Sequence, residues 1–91
     1  RRKQMKYIKN NSMEFLDIDD ENIVVYDPDS GDTHYISETG KAILSLLDKE
    51  IEFDELVSNL CELYSAERDE IESDVREFLD ELVGKKVVLY L

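Results

Sequence analysis

The sequence has little of the chemistry that disulfide scaffolds, metal clusters and membrane proteins require. It contains one cysteine, Cys61, so no disulfide can form within the chain and no thiolate cluster can bind a metal. No apolar run is long enough to cross a bilayer, and the basic start of the chain lacks the apolar segment of a signal peptide. We therefore expect a cytoplasmic protein without membrane contact.

Positive charge is scarce as well. Lysine and arginine number 11 against 23 aspartates and glutamates, for a formal net charge of −12. Proteins that bind nucleic acid gain much of their affinity by neutralising phosphates, so neither DNA nor RNA is an expected partner. Four of the basic residues lie in the first six positions, which leaves the rest of the chain still more acidic. A basic peptide or a basic face of another protein suits such a surface, and so does a role in solubility alone.

Residues for catalysis or metal binding are few. His34 is the only histidine, and no serine or cysteine is placed to form a triad with it, so we expect no enzyme activity. The loop from Asp27 to Asp32 is rich in carboxylates, but an EF-hand requires glycine at its sixth position, which here is Asp32. The three glycines lie far apart and cannot form a phosphate-binding loop. The sequence predicts neither a cofactor nor a metal site.

Short strands are predicted in the first half of the chain. Residues 14–18 and 22–27 are rich in β-branched and aromatic side chains and are separated by an acidic turn. The only proline and a glycine then mark a second turn at residues 27–32, before a third strand from Thr33 to Ile36. These features predict a three-stranded antiparallel meander. We expect residues 1–12 to form a basic, flexible N-terminal segment outside a domain of residues 13–91.

Helical periodicity follows. We expect a first helix capped by Ser37 that ends near Asp48, a second capped by Glu52, and a third from Glu67 to Val83 that Gly84 closes. The apolar, β-prone residues 87–91 indicate a last short strand or a packed extension. Apolar residues recur at helical spacing, and we assign these to the core: Ala42, Ile43, Leu46, Leu47, Phe53, Leu56, Val57, Leu60, Leu63, Tyr64, Ile71, Val75, Phe78, Leu79 and Leu82.

Two motifs join the strands to the helices. The first is an aromatic, an aliphatic and a small polar residue before an acid-Thr-Gly helix start, in residues 35–40 as Tyr-Ile-Ser-Glu-Thr-Gly. The second is a tyrosine before the third helix with an Asp-Val pair and spaced Phe and Leu within it: Tyr64, Asp74, Val75, Phe78, Leu79 and Leu82. Over residues 22–89 the chain resembles the PqqD-like family of RiPP recognition elements, with Ser37 where asparagine is common. The resemblance implies an α+β, winged-helix-like fold, with the meander followed by three helices.

The resemblance also implies a function. Such domains bind the leader peptide of a ribosomally synthesised precursor and present it to a modifying enzyme or leader peptidase. The leader adds as an antiparallel strand beside the third strand, over a groove shared with the third helix. The implied peptide-binding residues are Asp32, Thr33, His34, Tyr35, Ile36, Asp74, Val75, Phe78 and Glu81. We expect a monomer or weak dimer.

Two other functions are compatible with these elements. A regulatory or docking subunit of an enzyme complex would use the same strand edge and acidic surface without binding a leader. A winged-helix protein that binds nucleic acid would share the elements, but its recognition helix should be basic. The third helix instead carries eight acidic residues against Arg68 and Arg76, which disfavours this second alternative.

Overall fold

The computed structural model describes residues 5–91, which fold into six strands and three helices. The strands are β1 (Lys6–Lys9), β2 (Glu14–Asp17), β3 (Asn22–Tyr26), β4 (Thr33–Ser37), β5 (Ile51–Glu52) and β6 (Val88–Tyr90). The helices are α1 (Thr39–Ser45), α2 (Phe53–Tyr64) and α3 (Arg68–Gly84). The α+β fold with a meander ahead of three helices is as predicted.

The predicted meander is the sheet β2-β3-β4, in which both neighbouring pairs are antiparallel. Its two turns are closed by aspartates. The Asp19 carboxylate accepts the main-chain N–H of Glu21 and of Asn22, and Asp27 accepts that of Asp29. The side-chain amide of Asn22 and then the main-chain N–H of Glu21 lower the pKa of Asp19, and the N–H of Asp29 lowers the pKa of Asp27. Part of the acidity of the meander therefore has a local structural role.

A second sheet, with strand order β5-β1-β6, was not predicted. Its central strand is β1, so the interpretation of residues 1–12 as a separate flexible segment is wrong for residues 6–9; residues 1–4 of that segment lie outside the described residues. Tyr7 alternates inward from β1 and is only 5% exposed, with its ring centroid 5.2 Å from that of Tyr90. Burial raises the pKa of Tyr7. The segment was misjudged because its basic residues indicated a solvated tail, whereas Lys6 and Lys9 form ion pairs with Glu50 and Asp48 of the folded domain.

The start of α1 differs from the prediction. Ser37 is the last residue of β4 rather than a helix cap, and Glu38 occupies the N-cap position without a side-chain capping bond. The N–H of Glu38 still donates to the carbonyl oxygen of Glu21 at 2.7 Å, so the strand ladder continues through residue 38. The chain must then turn within one residue, and Glu38 does so at a φ of 53°.

The ends of the other helices also differ in detail. Glu52 is the N-cap of α2, as predicted, and Glu67, predicted as the start of α3, is its N-cap; neither makes a side-chain capping bond. Gly84 is the last residue of α3, and the left-handed residue that follows is Lys86, with a φ of 66°. Leu63 and Tyr64 were assigned to the core and are 63% and 43% exposed, because the core does not extend over the last turn of α2.

One hydrophobic core lies between the inner face of the meander, the three helices and the second sheet. Half-buried residues such as Phe78 and Leu46 pack at its margin. The buried members are Tyr7, Met13, Ile23, Val25, Ile36, Ile43, Leu44, Leu47, Phe53, Leu56, Val57, Leu60, Ile71, Val75, Leu79, Leu82, Val87 and Val88. Among residues 5–91, no helix combines the length and apolar character needed to cross a membrane.

We predict that Tyr7→Ala lowers the free energy of unfolding by about 3 kcal/mol, because it removes a buried aromatic ring and leaves a cavity under β1. Tyr35→Ala is the matched control. The Tyr35 side chain is 79% exposed, so its loss should change stability by less than about 0.5 kcal/mol. Urea unfolding of both variants measures the difference. Equal stabilities would contradict the assignment of β1 to the folded domain.

Candidate peptide-binding groove

The strand β4 has one paired edge and one open edge in the described part of the chain. It pairs with β3 alone, in a register that joins Val24 to Tyr35. Two hydrogen bonds define the alternation along it: Glu38 donates to Glu21, and Asp27 donates to the carbonyl oxygen of Asp32 at 2.9 Å. In an antiparallel ladder, every second residue therefore bonds to β3.

The intervening residues of β4 direct their main-chain groups the other way. These are Thr33, Tyr35 and Ser37, whose N–H and C=O groups face the open edge. An open edge of this kind is a template for another strand. Three residues with two main-chain groups each can bond to an added antiparallel strand of about five residues, because such a strand alternates in the same way.

Beside this edge lies a groove with two connected concavities. The larger, of about 430 Å³, lies between β4 and the C-terminal half of α3, and the smaller, of about 300 Å³, lies between α1 and α3. Three residues line both concavities: Gly40, Phe78 and Glu81. The groove therefore runs along the strand edge and past the aromatic ring of Phe78.

One face of α3 forms the far wall of the groove. Asp74, Glu77, Phe78 and Glu81 follow one another at i, i+3, i+4 and i+7, which places them in one stripe along the helix. This stripe combines a half-buried aromatic ring with three carboxylates. It offers an apolar contact and negative charge to whatever lies along β4.

The three carboxylates are not equivalent. Glu81 accepts a hydrogen bond from Lys85 Nζ at 2.8 Å, and this hydrogen bond and ion pair lower the pKa of Glu81. Its charge is thus offset by a neighbour on the same helix. Asp74 and Glu77 make no ion pair with any residue from 5 to 91. They supply most of the uncompensated charge on this wall.

Gly40 allows the groove to form. A methyl group added at Gly40 would lie 2.6 Å from Cγ2 of Ile36 and 2.8 Å from Cε1 of Phe78, both well inside normal van der Waals contact. A side chain at this position would therefore push α1 away from β4 and α3. Glycine brings the three elements together at the point where the two concavities meet.

The structure brings together most of the residues predicted for the site. Thr33, His34, Tyr35, Ile36, Phe78 and Glu81 line the larger concavity, and Asp74 lines the smaller one. Asp32 lies in the preceding turn, exposed, and lines neither. The prediction that Val75 binds the peptide is wrong. Its side chain is 1% exposed and packs in the core, so it is not available at the groove surface. Helical geometry turns residue 75 about 100° away from residue 74.

Several lining residues were missed. They are Ser37, Thr39, Gly40, Ile43, Glu77, Leu82 and Lys85. Two of them carried a signal in the sequence. Gly40 belongs to the acid-Thr-Gly motif, and Glu77 has the i+3 spacing from Asp74 that would have placed it in the same stripe. Lys85 follows the helix end and had no comparable signal.

Comparisons with known proteins agree with this geometry. The family model described as coenzyme PQQ synthesis protein D (PqqD) matches residues 22–88, which is most of the chain. The chain belongs to the PqqD family. The match begins at β3 and ends in β6, so it includes the strand edge and both walls of the groove.

A solved structure extends the PqqD assignment to the fold. The structure described as TbiB1 in complex with the TbiA(beta) leader peptide superposes with a TM-score of 0.81 at 27% sequence identity. The alignment covers 89% of this chain and 93% of that chain. Among curated proteins, no sequence matches significantly.

We predict that Gly40→Ala destabilises this PqqD-family protein by about 1–3 kcal/mol, because the added methyl group overpacks the contact with Ile36 and Phe78. Gly84→Ala is the control. Nothing lies within 4 Å of a methyl group added there, so alanine at this helical position should be neutral or stabilising by up to about 1 kcal/mol. Thermal and urea unfolding of the pair checks the contrast, and a neutral Gly40→Ala would contradict the tight packing.

Proposed function

We propose that the protein binds the leader peptide of a ribosomally synthesised precursor as a fourth strand on the open edge of β4. The leader then lies over the groove between β4 and α3, with an apolar side chain against Phe78. It is held for a modifying enzyme or a leader peptidase that acts on the same precursor. In this role the protein is a non-catalytic, cytoplasmic, monomeric or weakly dimeric carrier.

The open edge of β4 beside the groove is the observation that carries this proposal. Main-chain groups of Thr33, Tyr35 and Ser37 point to a strand that the described chain does not supply. The solved relative TbiB1 forms a complex with a leader peptide, and it shares the whole architecture at a TM-score of 0.81. Family and geometry thus favour the same class of ligand.

The chemistry of the groove also favours binding over catalysis. In the described residues, no cluster of three histidine, cysteine, aspartate or glutamate side chains could hold a metal ion. Cys61 lies on α2, half-buried, and does not line the groove. The groove instead offers main-chain hydrogen bonds, one aromatic ring and carboxylates, which suffice to recognise a peptide.

We predict that proline at the open edge abolishes most leader binding. Tyr35→Pro removes an outward donor without removing a hydrogen bond to β3, and proline is tolerated on edge strands. Binding should weaken by about tenfold or more. Thr33→Ala, which keeps the main-chain donor, should change it by less than about threefold. A labelled leader from a precursor encoded beside the gene is the probe, and the wild-type dissociation constant should be about micromolar or tighter.

Amide exchange gives the independent control for strand addition. Leader binding should protect the amides of Thr33, Tyr35 and Ser37, because these face the open edge, while His34 and Ile36 already donate to β3. Melting curves must show that each variant is folded. Protection confined to α1 and α2, or unchanged affinity of a folded Tyr35→Pro, would contradict the proposed site.

We also predict that the acidic stripe of α3 selects for basic leader residues. Asp74→Lys should weaken binding of a leader with lysine or arginine near this wall by about fivefold, and added salt should reduce the difference. Asp69→Lys is a matched control on the same helix, since Asp69 lines neither concavity of the groove. Fluorescence titrations at low and high salt make the comparison. Equal affinities of both variants would show that the Asp74 charge is only solvated.

A further inference from the structure

The meander has a second exposed surface, on the side away from the core. Register places Leu16, Val24 and Tyr35 side by side, one from each strand, and Tyr26 follows two residues beyond Val24. We name these four residues the outer face. Leu16 is 54% exposed and Tyr35 is 79% exposed, so two large side chains of this row remain open to solvent.

An apolar row of this kind is unusual on the solvent side of a sheet. An antiparallel sheet with one buried face normally carries polar residues on the other. The inner face here follows that rule, with Val25 fully buried and Ile23 5% exposed. The outer face is an apolar row at the centre of the other side, flanked there by Glu14, Asn22, Thr33 and Ser37, and such a row indicates a contact surface for another molecule.

The charge of the meander and its turns restricts the kind of partner. Between residues 10 and 40 the chain has no lysine or arginine and nine carboxylates: Glu14, Asp17, Asp19, Asp20, Glu21, Asp27, Asp29, Asp32 and Glu38. Only Asp17 among them is paired with a described cation, Lys41, at 3.4 Å. Two copies of the protein would bring these like-charged surfaces together and repel each other. The surface fits a protein with an apolar centre and a rim of lysine and arginine.

We propose that the outer face docks the enzyme that receives the leader, through a basic surface with an apolar centre. This inference rests on the proposed leader-binding function. Tyr35 borders both sites, but Leu16, Val24 and Tyr26 line neither concavity of the groove, which lies between β4 and α3. Leu16 lies on β2, two strands from the open edge of β4, which is about 10 Å. Leader and enzyme can therefore be bound at the same time.

The test uses the purified enzyme encoded beside the precursor gene, titrated onto the full chain by calorimetry. Leu16→Ser should weaken enzyme binding by about tenfold, the loss of an apolar anchor at an interface centre. Leader affinity should stay within about twofold, since Leu16 does not line the groove. Leu63→Ser is the control, because Leu63 is a comparably exposed leucine on α2 and should leave both affinities unchanged.

A charge variant tests whether the enzyme contacts the outer face through a basic rim. Glu14 is exposed on the same side of β2 as Leu16, so Glu14→Lys should weaken enzyme binding at low salt, while Glu55→Lys on α2 should not.

Equal enzyme affinities for wild type and Leu16→Ser, equal losses in both leucine variants, or no enzyme binding by wild type would overturn the proposal. So would a dimer in sedimentation that Leu16→Ser dissociates, since the occupant would then be a second copy. Leader titration of the same samples judges the leader-binding function separately.

Discussion

The close packing of Gly40 against Ile36 and Phe78 is the contact on which the groove depends. It holds the start of α1 against β4 on one side and against α3 on the other. The strand ladder runs on to Glu38, so the chain has one residue in which to turn and then enters α1 with no room for a side chain. The open edge of β4, the ring of Phe78 and the acidic stripe of α3 are thereby held in fixed positions relative to one another.

That constraint explains why recognition can rest on so few side chains. An added strand obtains its main-chain hydrogen bonds from Thr33, Tyr35 and Ser37, which are ordered by the ladder on their other side. Because the receiving edge is already extended, little ordering of the protein opposes binding. In the proposed binding mode, specificity would come from Phe78 and from the carboxylates of α3, because these side chains line the groove beside the strand edge.

The sequence predicted much of this arrangement, and the errors have identifiable causes. Segments rich in β-branched and aromatic residues, together with turn residues, revealed the meander, while apolar spacing revealed the three helices. The last strand, β6, was predicted within residues 87–91, but the second sheet was not, because β1 and β5 have four and two residues, too short for a periodic signal. Val75 was placed in the site because the family motif contains it, although its helical position directs it to the core. The contact of Gly40 joins three elements and can be recognised only in three dimensions.

The distribution of charge completes the physical account. Acidic residues are numerous on the meander, and Asp74, Glu77 and Glu81 of α3 line the groove, where Glu81 pairs with Lys85, while the pair of Lys9 with Asp48 lies elsewhere on the surface. Surface pairs of this kind contribute little stability, so a net charge of −12 is not explained by folding. A field of one sign instead accelerates encounter with basic partners and repels further copies of the chain. The same carboxylates can therefore keep an open strand edge from self-association and attract the molecules that should occupy it.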